Sequence, residues 1–330
     1  MRNVKAKNIL IFFPNGRGNY GSAVAAELEK KGANVYMYDE RPDSSVITKV
    51  SIRLAKDSLR HLFLHYVKKI LKDNNTVSFD IILIVRGEAF TPLVMRYLRK
   101  TCPAAHFILY LWDSVKNTNT TSIFPYFDKV LSFDTYDVEK FKLIHRPLFF
   151  IDDYREISRS VEREIDVLFI GKIHSDRYHF IKMVETELKM NDFKTYFYFY
   201  IQSRLLFYMM RLQEPTFRNA KLDEFKFTIL PSKDVSKIMK LSRASLDAQH
   251  PNQTGLTMRT VEVLGARRKL ITTNQDIKNY DFFRSENIQV VDRKNPIIDF
   301  DFIRTPYSDV PDLIYERYSL QGWLGEIMEA

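Results

Sequence analysis

The chain has 330 residues, of which 45% are hydrophobic, and this is enough for two domains with sizeable cores. A single cysteine, Cys102, excludes an internal disulfide framework and fits a reducing compartment. The formal charge of +9 is concentrated in residues 1–150, which hold 23 basic and 14 acidic residues. Either this half meets an anionic surface or substrate, or the charge serves solubility alone.

The N-terminal region contains a glycine-rich loop between a strand and a helix. A short apolar run over 8–13 predicts a buried strand, a helix is predicted over 22–31, and a second strand over 34–38 ends at Asp39. The loop glycines are Gly16, Gly18 and Gly21. This order matches most of the dinucleotide-binding fingerprint, in which the glycines admit a pyrophosphate and the acid binds a ribose. An NAD(P)-dependent oxidoreductase is therefore one hypothesis.

Residues 52–72 form the clearest amphipathic helix of the sequence. An apolar stripe at helical spacing is surrounded by basic side chains, and it consists of Ile52, Ala55, Leu59, Leu62, Tyr66 and Ile70. Such a helix either lies on an anionic lipid surface or is an ordinary domain helix with a solvated basic face. The excess positive charge of this half keeps peripheral membrane contact through 52–72 open.

Further strands are predicted over 80–85, 106–111 and 129–133, and they alternate with helices. This alternation predicts an α/β fold with a doubly wound parallel sheet, in which ligands gather at the carboxyl ends of strands. Glu88 and Asp113 both fall at such ends. They are candidates for chemistry, although Glu88 could instead pair with Arg86 and Asp113 could cap a turn.

The second half begins after a charged, aperiodic stretch, and we place a linker at 151–163. A strand over 165–170 follows, and the polar loop after it contains Gly171, Lys172 and Arg177. Residues 194–212 are the most aromatic stretch. Their nearly continuous aromatics favour a buried strand and helix over stacking on nucleic-acid bases, while membrane contact stays open.

Residues 242–274 read as a strand, a polar turn, an amphipathic helix over 258–266 and a second strand. The turn can point backbone amides at an anion before the helix begins. On the helix, Arg259 and Glu262 are three residues apart and share one face. An arginine neutralises phosphates and a carboxylate accepts hydrogen bonds from ribose hydroxyls, so the arrangement suits a nucleoside diphosphate. The alternative is that the two side chains only pair with each other.

This segment resembles the donor-binding signature of GT-B glycosyltransferases, specifically the bacterial "group 1" enzymes of surface polysaccharide synthesis and their CgeB-like relatives. The matching residues are Gln253, Gly255, Arg259, Glu262 and Leu270 to Asn274. The resemblance implies that Glu262 binds the donor ribose and Arg259 neutralises the diphosphate. It also implies that Gly255, Leu256 and Thr257 offer backbone amides.

The strand and loop at 165–177 also resemble the GT-B donor domain, which implies diphosphate contacts for Gly171, Lys172 and Arg177. The sequence departs from the family pattern at other positions. Thr254 stands where retaining members often carry a second glutamate, and Arg267 and Lys269 replace the usual glycine and proline after the helix.

The resemblance implies two Rossmann-like domains facing a cleft. Residues 1–150 would form the acceptor side, residues 164–312 would bind the nucleotide sugar, and a helix over 313–330 would return to the first domain. The loop with Gly16, Gly18 and Asn19 would face the cleft. In an inverting enzyme, Glu88 is the first candidate and Asp113 the second for the base that takes the acceptor proton.

We therefore expect a glycosyltransferase that moves a sugar from a nucleotide-activated donor to a bacterial surface glycan, such as lipopolysaccharide or capsule, or to a lipid-linked acceptor. Three cations for one diphosphate make a metal unnecessary, so no cofactor is expected. Asp299, Phe300 and Asp301 spell the metal-binding tripeptide DxD, but the match is short and we treat it as chance. The sequence has no HExxH, paired CxxC or nucleophile elbow.

No apolar run is long enough to cross a bilayer, and the basic N-terminus lacks the core of a signal peptide. We expect a cytoplasmic protein, either free or at the inner face of the membrane, with no nucleic-acid partner. Two alternatives stay open: the NAD(P)-dependent oxidoreductase, and a non-enzymatic basic protein that binds nucleic acid or membrane.

Overall fold

The structure is a computed structural model that describes residues 4–15, 18–42, 59–155, 163–173, 176–249 and 255–329. The chain divides into two compact units, one formed by Met1–Leu148 with Leu320–Ala330 and the other by Phe149–Ser319. Each unit is built on a six-stranded parallel sheet flanked by helices, which confirms the predicted α/β class.

The sheet of the first unit has the order β2-β1-β3-β4-β5-β6. Its strands are β1 Asn8–Phe13, β2 Asn34–Asp39, β3 Ile81–Val85, β4 His106–Leu111, β5 Lys129–Ser132 and β6 Ile144–His145. The helices are α1 Tyr20–Lys30, α2 Arg60–Asp73, α3 Pro92–Thr101, α4 Val115–Thr118 and α5 Thr135–Phe141, with a 3-10 helix over Thr121–Tyr126. Every residue of β3 is buried, as expected for a central strand of a parallel sheet.

Helix α2 is the described part of the amphipathic helix predicted over 52–72, of which residues 52–58 lie outside the described ranges. The buried face differs from the predicted stripe, since it consists of Phe63, Val67, Ile70 and Leu71, while Leu62 is 46% exposed. This face packs into the core of the first unit, and the basic side chains of Lys68, Lys69 and Lys72 point to solvent.

The sheet of the second unit has the order β12-β11-β10-β7-β8-β9. Its strands are β7 Ile165–Lys172, β8 Thr195–Tyr200, β9 Phe225–Lys226, β10 Ser242–Asp247, β11 Lys269–Thr272 and β12 Ile288–Val290. The helices are α6 Asp152–Arg155, α7 Arg177–Met190, α8 Arg204–Gln213, α9 Ser232–Lys240, α10 Met258–Gly265, α11 Phe300–Arg304 and α12 Asp312–Arg317. The first strand of the unit therefore lies between its second and fourth, which is the order of dinucleotide-binding folds.

The start of the predicted linker, 151–163, is structured and belongs to the second unit. Helix α6 buries Tyr154, and the backbone amide of Phe150 donates to the carbonyl of Tyr318 at 2.9 Å. Residues 156–162 lie outside the described ranges. The linker at 151–163 therefore stays a prediction, and its first residues already contribute Tyr154 to the second unit.

The single terminal helix predicted over 313–330 is two helices. Helix α12 ends at Arg317, and α13 spans Leu320–Met328 in the first unit. The break falls where Ser319 forms a β-bridge with Phe150. In α13, Trp323 is fully buried, and its ring meets Tyr110 edge-on with centroids 4.9 Å apart.

The aromatic stretch 194–212 forms β8 and α8. Phe199 and Phe207 lie in the core of the second unit, as predicted. Helix α8 is less buried than predicted, because Leu205 and Leu212 are 71% and 84% exposed. None of the helices in the described ranges has the length and apolar character needed to span a membrane.

Candidate functional site

The sheet of the second unit offers a ligand crevice between β7 and β10. The chain leaves β7 toward β8 on one side and returns on the other side to form β10, so the loops after these neighbouring strands diverge. Strand β7 ends at Lys172 and β10 ends at Asp247. Of the predicted donor-binding residues, Gly171, Lys172 and the first residue of α7, Arg177, lie at this edge.

Arg177 bridges the two strand ends. Its guanidinium donates to the carbonyl of Lys172 at 3.1 Å and to the carbonyl of Ala248. Burial lowers the pKa of Arg177; Asp247 opposes this effect, and the charges of Arg293 and Arg259 add to it. Several cations therefore converge at the crevice, as anion binding requires.

Arg259 and Glu262 on α10 form the ion pair that the sequence allowed, with 2.8 Å between Nη1 and Oε2. The pair is not a solvated surface contact, because the two side chains are only 16% and 9% exposed. Arg259 also donates to the carbonyl of Ile170 on β7 at 3.2 Å. The buried Tyr154 hydrogen-bonds Glu262; burial and the nearby carboxylate together raise the pKa of Tyr154.

Arg259 and Tyr154 both donate to Glu262. An ionised carboxylate can accept about four hydrogen bonds, which suits a residue that binds hydroxyl groups.

The start of α10 is held by Thr257 and Asp247. The Thr257 hydroxyl accepts from the amide of Thr260 at 3.2 Å and donates to Asp247 at 2.5 Å. The preceding Gly255 and Leu256 are buried, and the Gly255 carbonyl accepts from Asn274 at 3.4 Å. The helix N-terminus is thereby fixed beside the end of β10, and the positive end of the helix dipole lies at this edge of the sheet. Residues 250–254 of the predicted turn lie outside the described ranges.

The other end of α10 is packed against the segment that opens the second unit. A Cβ atom on Gly265 would lie 2.5 Å from the Phe150 ring, so only glycine fits here. The Tyr315 hydroxyl donates to the Gly265 carbonyl at 2.6 Å. These contacts set the depth and tilt of the helix that carries Arg259 and Glu262.

Sequence reasoning missed four residues of this site. Arg293 makes a two-pronged contact with Asp176 at 2.6 and 2.7 Å and donates to the Gln249 carbonyl at 2.8 Å. Asp247 and Tyr154 complete the set. Asp247 could have been found from its position at a strand end, but Arg293 and Tyr154 have no local signal, because only the fold brings them to the crevice.

The first unit carries a second polar cluster at the carboxyl ends of its strands. Arg86 contacts Glu88 at 2.7 Å, Asp113 at 3.8 Å and Glu40 at 3.9 Å. Arg41 contacts the same Glu88 at 2.9 Å. Arg86 and Gly87 have φ values of +76° and +73°. Position 87 requires glycine, because an added Cβ atom would lie 2.9 Å from the Leu109 side chain. Local strain therefore aims these side chains at one another.

The two predicted carboxylates differ in this cluster. The Glu88 side chain is 4% exposed and paired with two arginines, whereas Asp113 is 20% exposed. Asp113 also accepts from the Ser114 amide and from the side chain of Asn117 through Oδ1. Both alternatives foreseen from sequence, pairing with Arg86 and a local turn contact, are thus present.

Glu40 was not singled out from the sequence, and it is the most buried carboxylate of the cluster. Burial raises the pKa of Glu40 to about 7; Arg86 and Arg41 oppose this shift, while Glu88 and Asp39 add to it. Three carboxylates share two arginines here, so one negative charge is in excess. Burial acts most strongly on Glu40, and neither of its oxygens has a hydrogen-bond partner among the described residues to stabilise the charged form.

The glycine-rich loop of the first unit is described only in part, since Gly16 lies outside the described ranges. Gly18 has a φ of +64°, and Asn19 precedes α1. The acid of the dinucleotide fingerprint, Asp39, accepts from the backbone amides of Asn15 and Arg41 at 3.5 and 3.1 Å. The strand order here places β1 between β2 and β3, unlike the dinucleotide-binding order of the second unit.

The tripeptide Asp299–Asp301 serves local structure. Asp299 caps α11 by accepting from the amides of Asp301 and Phe302, and Asp301 pairs with Arg304 at 3.3 Å. Within the described part of the chain, no three His, Cys, Asp or Glu side chains are grouped to hold a metal ion.

No protein-family model matches the sequence, and no curated protein matches it either. Solved structures match over nearly the whole chain. A glycosyltransferase from Rickettsia africae ESF-5 is 14% identical with a TM-score of 0.56, covering 98% of this chain and 97% of that one. The Anabaena protein Alr3699/HepE in complex with UDP and glucose is 10% identical with a TM-score of 0.63, covering 98% of both chains.

The apo form of the lipopolysaccharide outer core galactosyltransferase WaaB is 12% identical with a TM-score of 0.54, covering 98% of this chain and 99% of that one. At these identities the likeness concerns the fold. Together with the two parallel sheets, it confirms that the chain has the fold of the GT-B glycosyltransferases.

Proposed function

We propose that this protein is a glycosyltransferase that uses a nucleoside diphosphate sugar as donor. The observation that supports this most directly is the crevice of the second unit, where the cations of Arg177 and Arg259 lie at the strand ends and Arg259 holds the carboxylate of Glu262. The cations would bind the diphosphate and stabilise the charge that develops as it leaves. Glu262 would accept hydrogen bonds from ribose hydroxyls.

No resident cofactor is required by this proposal. Arg177, Arg259 and Arg293 carry three positive charges at the crevice, and Lys172 stands exposed at its rim. A diphosphate leaving group would be neutralised by them, so we expect transfer to continue when divalent ions are chelated.

The acceptor hydroxyl needs a proton acceptor if the reaction inverts configuration. We favour Asp113 over Glu88 for this role, in contrast to the order suggested by sequence. Glu88 is held by two arginines at 2.7 and 2.9 Å, and removing its charge would take the nearest carboxylate from both of them. Asp113 is more exposed and is less tightly paired.

The class of acceptor is inferred from charge and from the structural neighbours. WaaB is named a lipopolysaccharide outer core galactosyltransferase, and the excess positive charge of this chain lies in its first 150 residues. We propose that the acceptor is a bacterial surface glycan or a lipid-linked glycan. The protein would reach this acceptor from the cytoplasm, at the inner face of the membrane.

Calorimetric titration with UDP, GDP, dTDP, CMP, NAD and NADP tests the proposal, and UDP comes first because the Anabaena structure holds it. We expect one nucleotide to bind and Glu262→Gln to weaken it about tenfold or more, since charge-assisted hydrogen bonds are lost. Glu214→Gln, an exposed change in the same unit, is the matched control. Asp113→Asn should retain binding and lower kcat.

Two outcomes would contradict the proposal. One is binding of NAD or NADP that Gly18→Val abolishes and Glu262→Gln spares, which favours the oxidoreductase. The other is salt-sensitive binding of nucleic acid with no response to any nucleotide, which favours a non-enzymatic protein.

A further inference from the structure

A second cationic site lies at the opposite edge of the sheet of the second unit. A cavity of about 220 Å³ opens beside the amino ends of β10 and β11. Five cationic side chains line it: Arg163, Arg243, Arg267, Arg268 and Lys269. Along β10, Arg243 is separated from Asp247 at the crevice by about 13 Å of extended chain. The cavity is therefore distinct from the candidate donor site.

Nearby carboxylates balance only part of this charge. Asp309 lines the cavity and pairs with Arg267 at 2.7 Å, and Asp166 pairs with Arg243 at 3.1 Å. Asp312 is 3.6 Å from Arg267, but its side chain is 91% exposed.

Arg268 and Lys269 are buried, with 5% and 2% of their surface exposed. Arg268 donates to the carbonyls of Met239 and Lys240 at the end of α9, and Lys269 donates to the carbonyl of Phe302. Within the described ranges, neither has an ion pair with a carboxylate. Asp299 and Glu286 act on Lys269 from beyond ion-pair distance, and neutral carbonyls satisfy the donors without cancelling the charge. Buried charges are normally paired.

The cations also act on one another. Burial lowers the pKa of Arg268 to about 10, and the charge of Arg163 adds to this shift. Burial likewise lowers the pKa of Arg163, with Arg243 adding to it. A bound anion would relieve this repulsion.

We propose that this cavity is a second anion site that binds a phosphate or diphosphate group. Planar guanidinium groups match phosphate oxygens, and a group with about two negative charges offsets the excess of cations. Arg243 and Arg163 supply the direct contacts, because they are less buried than Arg268. Tyr307 lines the same cavity and offers a hydroxyl donor.

The test is calorimetric titration of the full chain with inorganic pyrophosphate and phosphate at ionic strength matched with KCl. Arg163→Gln/Arg243→Gln avoids the buried positions, whose variants could fail to fold. We expect it to weaken binding about tenfold or more, as charge-assisted contacts are lost. Arg304→Gln is the matched control, since that arginine is 61% exposed and outside the cavity. Arg177→Gln alters the donor crevice, so the binding that this variant loses is assigned to the crevice and not to the cavity.

A wild-type protein that binds neither the two anions nor anionic vesicles, or a double variant whose affinity for all of them is unchanged, would overturn the proposal. Vesicles of phosphatidylglycerol are titrated in parallel. Loss of pyrophosphate binding in the double variant identifies a free phosphate as the source, and loss of vesicle binding alone identifies a lipid headgroup.

Discussion

At the scale of single residues, the behaviour of a charged group in this protein depends on how buried it is and on which groups are buried beside it. Arg259 and Glu262 have the spacing of an ordinary helix pair, yet their low exposure and the contact with Tyr154 place them in a crevice. Glu40 shows the same effect in the first unit. Its sequence neighbourhood is ordinary, but burial raises its pKa to about 7.

The Glu40 shift predicts a pH dependence of stability. The unfolded carboxyl has a pKa of 4.5, so from there to about 7 the folded state holds a proton that the unfolded chain releases. The free energy of unfolding therefore falls as the pH rises through this window, by roughly 3 kcal/mol at most. Glu40→Gln should lack this contribution.

Urea unfolding from pH 4.5 to 8, followed by tryptophan fluorescence, measures the effect. Trp112 and Trp323 are the two tryptophans of the chain and both belong to the first unit, so the signal reports the unit that holds Glu40. A stability difference between wild type and Glu40→Gln that does not change with pH would show that Glu40 keeps an ordinary pKa.

At the scale of elements, helix α10 connects the core of the second unit to its crevice. Its first turn is capped by Thr257 and meets Asp247, while its last residue, Gly265, lies against Phe150. A helix fixed at both ends holds Arg259 and Glu262 in place without relying on loop structure.

Gly265→Ala tests this control of position. The added methyl group would lie 2.5 Å from the Phe150 ring, so we expect a loss of about 1–3 kcal/mol and weaker nucleotide binding as the helix shifts. Gly325→Ala on α13 is the matched control, because among the described residues nothing beyond its own helix turn lies within 4 Å of an added Cβ atom. It should stabilise by roughly 0.5–1 kcal/mol.

Thermal unfolding by circular dichroism and calorimetric titration compare these two variants. If Gly265→Ala and Gly325→Ala have the same thermal stability and the same nucleotide affinity, the Phe150 ring moves aside and this contact does not position α10.

At the scale of the whole molecule, positive charge is distributed unevenly. Residues 1–150 hold the entire excess, and the exposed face of α2 contributes Lys68, Lys69 and Lys72. The apolar face of α2 is used by the core, so any contact of this helix with lipid would be electrostatic.

We predict that the protein binds phosphatidylglycerol vesicles and that binding weakens with KCl. A lysine near an anionic surface contributes about 1 kcal/mol, so replacing these three with glutamine should lower the partition constant roughly a hundredfold. The matched control is Lys233→Gln/Lys237→Gln/Lys278→Gln, three exposed lysines of the second unit. Sedimentation with vesicles measures the partition constant of each triple variant. An equal decrease in the two variants would exclude a specific role for α2.

The sequence by itself determined the elements with strong local patterns. The predicted bounds of β1 and β4 agree with the structure, because continuous apolar runs between polar residues have few other conformations. The helix and second strand around α10 agree to within one residue, while β10 begins four residues before its predicted start at Leu246. The resemblance to GT-B donor domains singled out Lys172, Arg177 and Thr257 in addition to Arg259 and Glu262, and the structure places these residues at strand ends or in the first turns of helices of the second unit.

Only the tertiary structure decided which strands pair and which residues at their ends become neighbours. The short strand β6 has no pattern of its own and exists because the neighbouring strand β5 offers hydrogen bonds. Arg293 reaches Asp176 across more than a hundred residues, and Glu40 joins Arg86 and Glu88, because strand order makes them neighbours. Local periodicity encodes helices and strands, whereas the order in which strands pair depends on the crossovers of the whole chain.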